Sequence, residues 1–363
     1  MKKIKILMAG ISQNLGGIEV FVYNLYKNLD KEKYEVSFLV DKMYKVAFFD
    51  EYQKDGCKFF YVENRKKNYL KYLKDLKEIY TKNQFDIIHI NAMSYSLFER
   101  ILYACKYSNA KVVVHSHGMG YAKGYYKTRC IHFIGKQFLK NKKFYKIACG
   151  EKAGKYMFGD DKFTIINNGI DLDKFTFSSK YRQEIREEFK VDNKIKLIGM
   201  VAAFLPVKNH TFLIDIFKEY HNLNSKSKLF LVGEGPLKSK IEEKVKEYGL
   251  VDNVIFAGKR EDVYKIYSAF DLYVIPSITE GFGISICEAQ INGLKCYTST
   301  SVEKSSNISG NVVFIRLEQS AEYWAEQMMK DDKRDLYVLD KISDEYSLKK
   351  SCEIMSEFYK NMV

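Results

Sequence analysis

Two carboxylates eight residues apart, Glu280 and Glu288, frame the segment TEGFGISICEAQ. Glu280 follows an apolar run, LYVIPS, and precedes Gly281, Phe282 and Gly283. A helix opening near Gly283 would turn its free N–H groups and the positive end of its dipole toward the end of that run. Such a helix start can hold a phosphate or diphosphate without a metal. Glu280, at the helix entrance, can accept hydrogen bonds from sugar hydroxyls. Glu288, one to two turns in, can reach the vicinal diol of a ribose, which suits a carboxylate with two acceptor oxygens. The same pair also reads as a capping Glu and a solvated Glu on a surface helix. Its setting between LYVIPS and AQINGLKCYTS strengthens the chemical reading.

Positioning these groups is the task of a repeating element pattern. IKILMA at 4–9 is a short apolar run ending in the turn SQNLGG, and Ile18, Phe21, Val22, Leu25 and Leu29 then recur at helical spacing. Strands are expected at 34–40, 86–90 and 111–115, with helices over 69–83 and 95–107; 144–149 and 163–166 continue the pattern. The polar stretch 171–194 is expected to hold one short amphipathic helix. The rhythm then restarts, with strands at 196–201, 228–232, 253–257 and 272–275. Helices are expected at 209–221, 236–248, 261–269 and 283–292. Strands alternating with helices of this length build parallel sheets. The expected fold is therefore α/β, with two facing Rossmann-like domains. Residues 1–175 form the acceptor- and membrane-facing domain and 176–344 the nucleotide-sugar domain. An amphipathic helix over 345–363 packs back on the first. The default ligand site is the cleft at the strands' carboxyl ends.

Composition excludes several classes. With 46% hydrophobic and 29% charged residues among 363, the chain is globular rather than disordered. No apolar run approaches the ~18–20 residues of a membrane-spanning helix. MKKIKILMAG reads as a first buried strand, not a signal peptide. The seven cysteines are scattered without a CxxC, which suits a reduced compartment and offers no metal site. The net charge of +13 lies in one half: residues 1–175 carry 32 Lys/Arg against 18 Asp/Glu. Residues 100–150 hold 11 basic and no acidic residues. Over 121–146 the basic residues interleave with Tyr121, Tyr125, Tyr126, Phe133, Phe138, Phe144 and Tyr145. That mixture suits an anionic membrane surface, since lysines near anionic lipid each contribute about 1 kcal/mol and aromatic rings favour the headgroup layer. It also suits a plain solvated face. No nucleic-acid partner is expected, because no recognition helix, RNP-like strand or zinc module accompanies the charge.

Further motifs accompany the Glu280/Glu288 segment: LGGIE at 15–19, VVVHSHG at 112–118, NNGID at 167–171, GMVAAFLPVKNH at 199–210, LVGEGPL at 231–237 and VIFAGKREDV at 254–263. In this order they resemble the family 4 glycosyltransferases of the GT-B fold, and in particular the bacterial enzymes of capsule and exopolysaccharide assembly. The resemblance implies a retaining hexosyltransferase, metal-independent and without a cofactor, whose donor is a nucleotide sugar, UDP-linked by preference. The implied acceptor is a lipid-linked saccharide at the cytoplasmic face of the membrane, to which the protein binds peripherally. Gly16 and Gly17 match the family's N-terminal glycine turn. His117 matches its active-site histidine, and His115, on the same side of the strand, reads as a deeper core histidine. Lys208 matches the lysine of an R-x4-K pair and would neutralise the leaving diphosphate. The arginine of that pair falls on Ala203, so a neighbour such as Lys259 or Arg260 would have to compensate. Gly233 and Gly258 sit where the family holds the nucleotide. Lys259, Arg260, Gly281, Phe282, Gly283 and Glu288 complete the implied donor set. Asp171–Asp173 forms a D-x-D only formally, away from any strand end. Two alternatives stay open: a UDP-sugar 2-epimerase-like enzyme, and a weakly active nucleotide-sugar-binding partner subunit, the latter because of Ala203.

Overall fold

The computed structural model describes residues 2–14, 16–118, 126–331 and 333–363. They divide into two compact units, Met1–Gly169 with Leu348–Val363, and Ile170–Ser347. Unit 1 holds β1 (Ile4–Ala9), β2 (Tyr34–Asp41), β3 (Lys58–Val62), β4 (Ile87–Ala92), β5 (Lys111–Ser116), β6 (Tyr145–Ala148) and β7 (Thr164–Ile165). These strands pair in parallel in the order β3-β2-β1-β4-β5-β6-β7. Unit 2 holds β8 (Lys196–Val201), β9 (Ser227–Val232), β10 (Val254–Gly258), β11 (Leu272–Ile275), β12 (Lys295–Ser299) and β13 (Val312–Ile315). Their order, again all parallel, is β10-β9-β8-β11-β12-β13. Both units are therefore the expected α/β sheets.

Each sheet reverses its winding once, at β1/β4 in unit 1 and at β8/β11 in unit 2. The carboxyl ends beside such a reversal form the crevice that open α/β sheets offer to ligands. The central strands are buried on both faces, and Ile6, Leu7, Met8 and Ala9 are wholly inaccessible. That is why they read as continuous apolar runs. The helix Leu348–Lys360 belongs to unit 1, as expected. Its Met355 and Tyr359 are fully buried in that unit's core, and Ser356 O accepts from the Tyr34 hydroxyl at 2.9 Å.

The polar stretch 171–194 contains two helices, Leu172–Phe175 and Ser179–Glu188, where one was expected. It is also less solvated than its composition suggests. Arg182 and Arg186, one turn apart, each place a terminal nitrogen 2.7 Å from a different oxygen of Asp271. The Leu197 N–H donates to Asp271 at 2.7 Å, and Arg186 Nε donates to Ala269 O at 3.0 Å. The helix Ser179–Glu188 is thereby locked to the start of β8 and β11. Two cations and an amide surround one carboxylate, so removing that carboxylate strands buried charge. Asp271→Ala should lose about 3 kcal/mol or more of stability. A urea denaturation midpoint unchanged from the parent would refute this.

Candidate functional site

In unit 2 the candidate groups meet at the sheet's reversal. Lys208 closes the short turn Pro206–Lys208 after β8, and Glu280 lies on the loop after β11. The Ile278 N–H donates to Val207 O at 2.8 Å, which ties loop to turn. Lys208 Nζ donates to Glu280 Oε2, and the Ser277 hydroxyl lies 3.3 Å from the same oxygen. Both side chains are about one-fifth exposed, so the pair attracts more strongly than a surface pair does. The helix Ile284–Ile291 begins immediately after Gly283. Glu280 does not cap it: the Gly283 N–H goes to the Ser306 hydroxyl at 3.2 Å. Ser306 carries no motif signal, because it reaches the site from 23 residues downstream.

Glu288 is not a solvated surface residue. It accepts a hydrogen bond from the Tyr267 hydroxyl at 2.7 Å, and that hydroxyl also lies 3.2 Å from Ser285 O. Desolvation pushes its carboxyl up to about 7, against the opposing pull of the Tyr267 bond and Lys174. The Phe282 side chain is buried and stacked on Tyr346 with ring centroids 5.9 Å apart, which leaves its backbone as the part that could face a donor. Gly281 and Gly283 flank it on the loop.

The glycines after β9 and β10 serve backbone approach. A Cβ on Gly233, whose φ is +140°, would sit 2.1 Å from Ala202 O. The Gly233 N–H donates to Gly258 O at 2.9 Å, which joins the two strand ends. Arg260 is committed elsewhere: its guanidinium binds both Asp262 oxygens at 2.8 Å and pairs with Glu188. Lys259 and Ala203 are both exposed. Asp171 caps the helix Leu172–Phe175 by accepting from Lys174 N at 3.0 Å, a structural role. Among the described residues no group of three or more His, Cys, Asp or Glu side chains is arranged to hold a metal ion.

In unit 1, Gly16 precedes the helix Gly17–Asn28, while Leu15 of the same motif lies outside the described residues. With φ at −144°, Gly16 is in a conformation open to any residue, and an added Cβ would meet only the Glu19 carboxylate, at 3.0 Å. The turn is held instead by Glu19, which accepts from the Ser12 N–H at 2.8 Å and the Ser12 hydroxyl at 2.9 Å. His117 follows β5, and its N–H extends the ladder to Ala92 O at 3.0 Å. Its Nε2 lies 2.8 Å from Asn91 Oδ1. His115 is wholly buried, as expected of a core histidine, with Nδ1 3.3 Å from His89 Nε2. Desolvation lowers the His117 pKa to about 3.

Of the basic stretch, 126–146 is described and Tyr121 and Tyr125 lie outside the described residues. Tyr126–Leu139 is a helix that the apolar spacing did not announce. Gly135 lets it dock, since a Cβ there would meet Tyr95 O at 2.6 Å. Tyr126, Phe133, Ile134 and Phe138 remain exposed among exposed Lys127, Arg129, Lys136, Lys140, Lys142 and Lys143.

The Glu288 environment has a measurable signature. A carboxyl whose folded-state pKa is raised binds its proton more tightly when folded, so its ionisation opposes folding as pH rises through about 7. Carbon-13 NMR of glutamate carboxyls should show Glu288 titrating near that pH. Tyr267→Phe should move the midpoint higher, because the hydroxyl favours the ionised form. A midpoint near 4.5 in the parent would contradict the desolvated environment.

Two family models match the chain: "Glycosyltransferase Family 4" over residues 15–174 and "Glycosyl transferases group 1" over residues 181–327. A Bacillus subtilis (strain 168) protein named as the glycosyltransferase EpsF is 30% identical over 339 residues, 91% of this chain and 87% of its own. The Escherichia coli UDP-Gal:alpha-D-GlcNAc-diphosphoundecaprenol alpha-1,3-galactosyltransferase is 25% identical, over 87% of this chain and 82% of its own. Among solved structures, HepE of Anabaena in complex with UDP-glucose superposes with a TM-score of 0.81 at 17% identity, covering 99% of this chain and 100% of that one. Sucrose-phosphate synthase from Thermosynechococcus elongatus gives 0.80 at 16% identity, covering 99% of each. By motif order, by fold and by descent over nearly its whole length, the chain belongs to the family 4 glycosyltransferases of the GT-B fold.

Proposed function

We propose that this protein is a metal-independent, retaining hexosyltransferase. It moves a sugar from a UDP-sugar to a lipid-linked saccharide during capsule or exopolysaccharide assembly. The observation that carries the reading is the convergence of Lys208, Glu280 and the start of the helix Ile284–Ile291 at the reversal of one sheet. A cation and a helix N-terminus together stabilise the charge that develops on a departing diphosphate. Glu280 then serves the sugar hydroxyls and Glu288 the ribose diol. The acceptor hydroxyl passes its proton to the leaving phosphate, in a same-face displacement without a covalent intermediate. Support for donor and acceptor comes from the names of relatives: one uses UDP-Gal and a diphosphoundecaprenol-linked sugar. HepE has been seen with UDP-glucose.

Incubation with radiolabelled UDP- and GDP-sugars and a membrane extract should give transfer from one UDP-sugar, undiminished by excess EDTA. Lys208→Ala should lower turnover by ~100-fold or more, as removal of one charge-stabilising group does elsewhere. Restoration of an EDTA-killed activity by Mn²⁺, or an unaltered rate in the variant, would overturn the mechanism. Absence of transfer in the parent would instead favour the nucleotide-sugar-binding subunit that Ala203 keeps in view.

The exposed basic and aromatic face of Tyr126–Leu139 and the lysines after it supports peripheral attachment to the inner membrane face, where a lipid-linked acceptor would be met. No described helix is long and apolar enough to cross a membrane. Binding should therefore depend on charge, and screening shortens that attraction to ~8 Å at physiological salt and ~3 Å at 1 M. The protein should pellet with anionic liposomes at low salt, bind neutral ones poorly, and be released by high salt. Changing Lys136, Lys140, Lys142 and Lys143 together to Glu should abolish pelleting and leave UDP binding intact. Equal pelleting of variant and parent would reduce this face to a solvated one.

A further inference from the structure

β4 and β5 carry an unusual polar layer. Asn91 and His115 are register partners, and His89 and His117 lie two residues from them on their own strands. Side chains two apart on a strand share a face, so all four stand on the same side of the sheet. His89, Asn91 and His115 are buried and His117 half-buried, and none of the four is a carboxylate. His115 and His117 rings lie 3.9 Å apart, and the Phe21 ring sits 4.8 Å from the first and 5.0 Å from the second. At the far end the Tyr359 hydroxyl bonds His89 Nδ1.

The proton positions at the near end follow from hydrogen-bond logic. One polar atom of the Asn91 amide lies 3.1 Å from Ala9 O, a carbonyl that can only accept. That atom is therefore the NH₂ group. The opposite atom, 2.8 Å from His117 Nε2, is the amide oxygen, which also can only accept. His117 Nε2 must then carry hydrogen. Asn91 cannot swing away: it is 3% exposed, and its backbone presses on the carboxyl end of β1. A Cβ on Gly10, whose φ is +93°, would overlap Asn91 O at 1.9 Å. His117 Nδ1 is buried and has no hydrogen-bond partner among the described residues. A buried polar atom left unmatched is costly, and of the two in this layer, His117 Nδ1 and His115 Nε2, only the first belongs to a ring that is not fully buried and so can be reached by a ligand.

We infer that Asn91 is a positioning residue: it fixes His117 as the neutral Nε2–H tautomer, so that Nδ1 is a lone-pair acceptor selecting a ligand hydroxyl over a phosphate or carboxylate oxygen. Burial of three mutually close imidazoles, each with its pKa driven down by desolvation, keeps the proton off Nδ1 near neutral pH. The inference rests on the transferase reading only for the identity of the hydroxyl, which belongs to a sugar.

The test uses full-length protein labelled with ¹⁵N-histidine and two-bond ¹H–¹⁵N correlation, with His117→Gln assigning the ring. His117 should show the Nε2–H tautomer, unchanged from pH 6 to 8. UDP-glucose, UDP-galactose or UDP-N-acetylglucosamine should shift its Nδ1 resonance, and UDP alone should not. Asn91→Leu should abolish the single tautomer and lower kcat/KM about tenfold, the worth of one hydrogen bond. Asn91→Asp keeps the acceptor but adds a charge that favours imidazolium. It should hold the tautomer and introduce an acidic limb in the pH–rate profile that the parent lacks. An Nδ1–H or charged ring in the parent, a single tautomer surviving in Asn91→Leu, or a shift with UDP alone would each overturn the inference. Absence of transferase activity would leave the tautomer result standing, which separates the two failures.

Discussion

A parallel sheet buried on both faces has little room for chemistry along its strands. Polar groups find water and ligand only where the strands end, and the connections return there after every helix. Lys208 follows β8, Glu280 follows β11, Gly233 follows β9, Asn91 stands near the end of β4, and His117 follows β5. Five distant positions thus become neighbours of a strand end without any long-range instruction beyond sheet order. What sheet order does not supply is fine spacing. That comes from close backbone approach: Gly10 against Asn91 in unit 1, and Gly233 against Ala202 in unit 2. At both places φ is positive and a side chain would collide with a carbonyl, so glycine is required on two counts.

The Lys208–Glu280 pair gives unit 2 its electrostatic character. A partly buried cation without a ligand would be costly, and the carboxylate offsets that cost. The absence of arginine at Ala203 bears directly on this balance. Arg260 would be the obvious substitute by sequence proximity to a strand end, yet two carboxylates already hold its guanidinium.

Both sheets were legible because their central strands read as uninterrupted apolar runs. Three of the departures share a cause, in which burial and apolarity part company. β12, with the sequence KCYTS, gives no apolar run although four of its five residues are buried. Its polar atoms are satisfied internally, as Thr298 Oγ1 shows by donating to Ile275 O at 2.8 Å. Arg182 and Arg186 read as part of a solvated linker and are instead the partners of Asp271. The helix Tyr126–Leu139 failed in the opposite sense, since several of its large apolar residues face outward. Of the candidate residues, Glu280, Glu288 and Lys208 in unit 2 and His117 in unit 1 could be found from motif order. Their supports Ser306, Tyr267 and Asn91 could not, because nothing local in the chain marks a residue whose partner arrives from another element.

The two units handle polarity in opposite ways, and the contrast fits a division of substrate recognition. Unit 2 places formal charge and a helix N-terminus at its reversal point, the equipment for an anion. Unit 1 places imidazoles and an amide there. Two buried histidines and the half-buried His117 are best accommodated uncharged: an imidazolium there would face desolvation and two imidazole neighbours. Neutrality then limits what the layer can bind. It has lone pairs and N–H groups to offer, which match hydroxyls, and no positive charge with which to hold a phosphate. The excess of basic residues in 1–175 does not alter this, because it lies on the exterior, where water and salt screen it. Formal charge and neutral hydrogen-bonding groups thus stand at the strand ends of different sheets, each in surroundings that suit it.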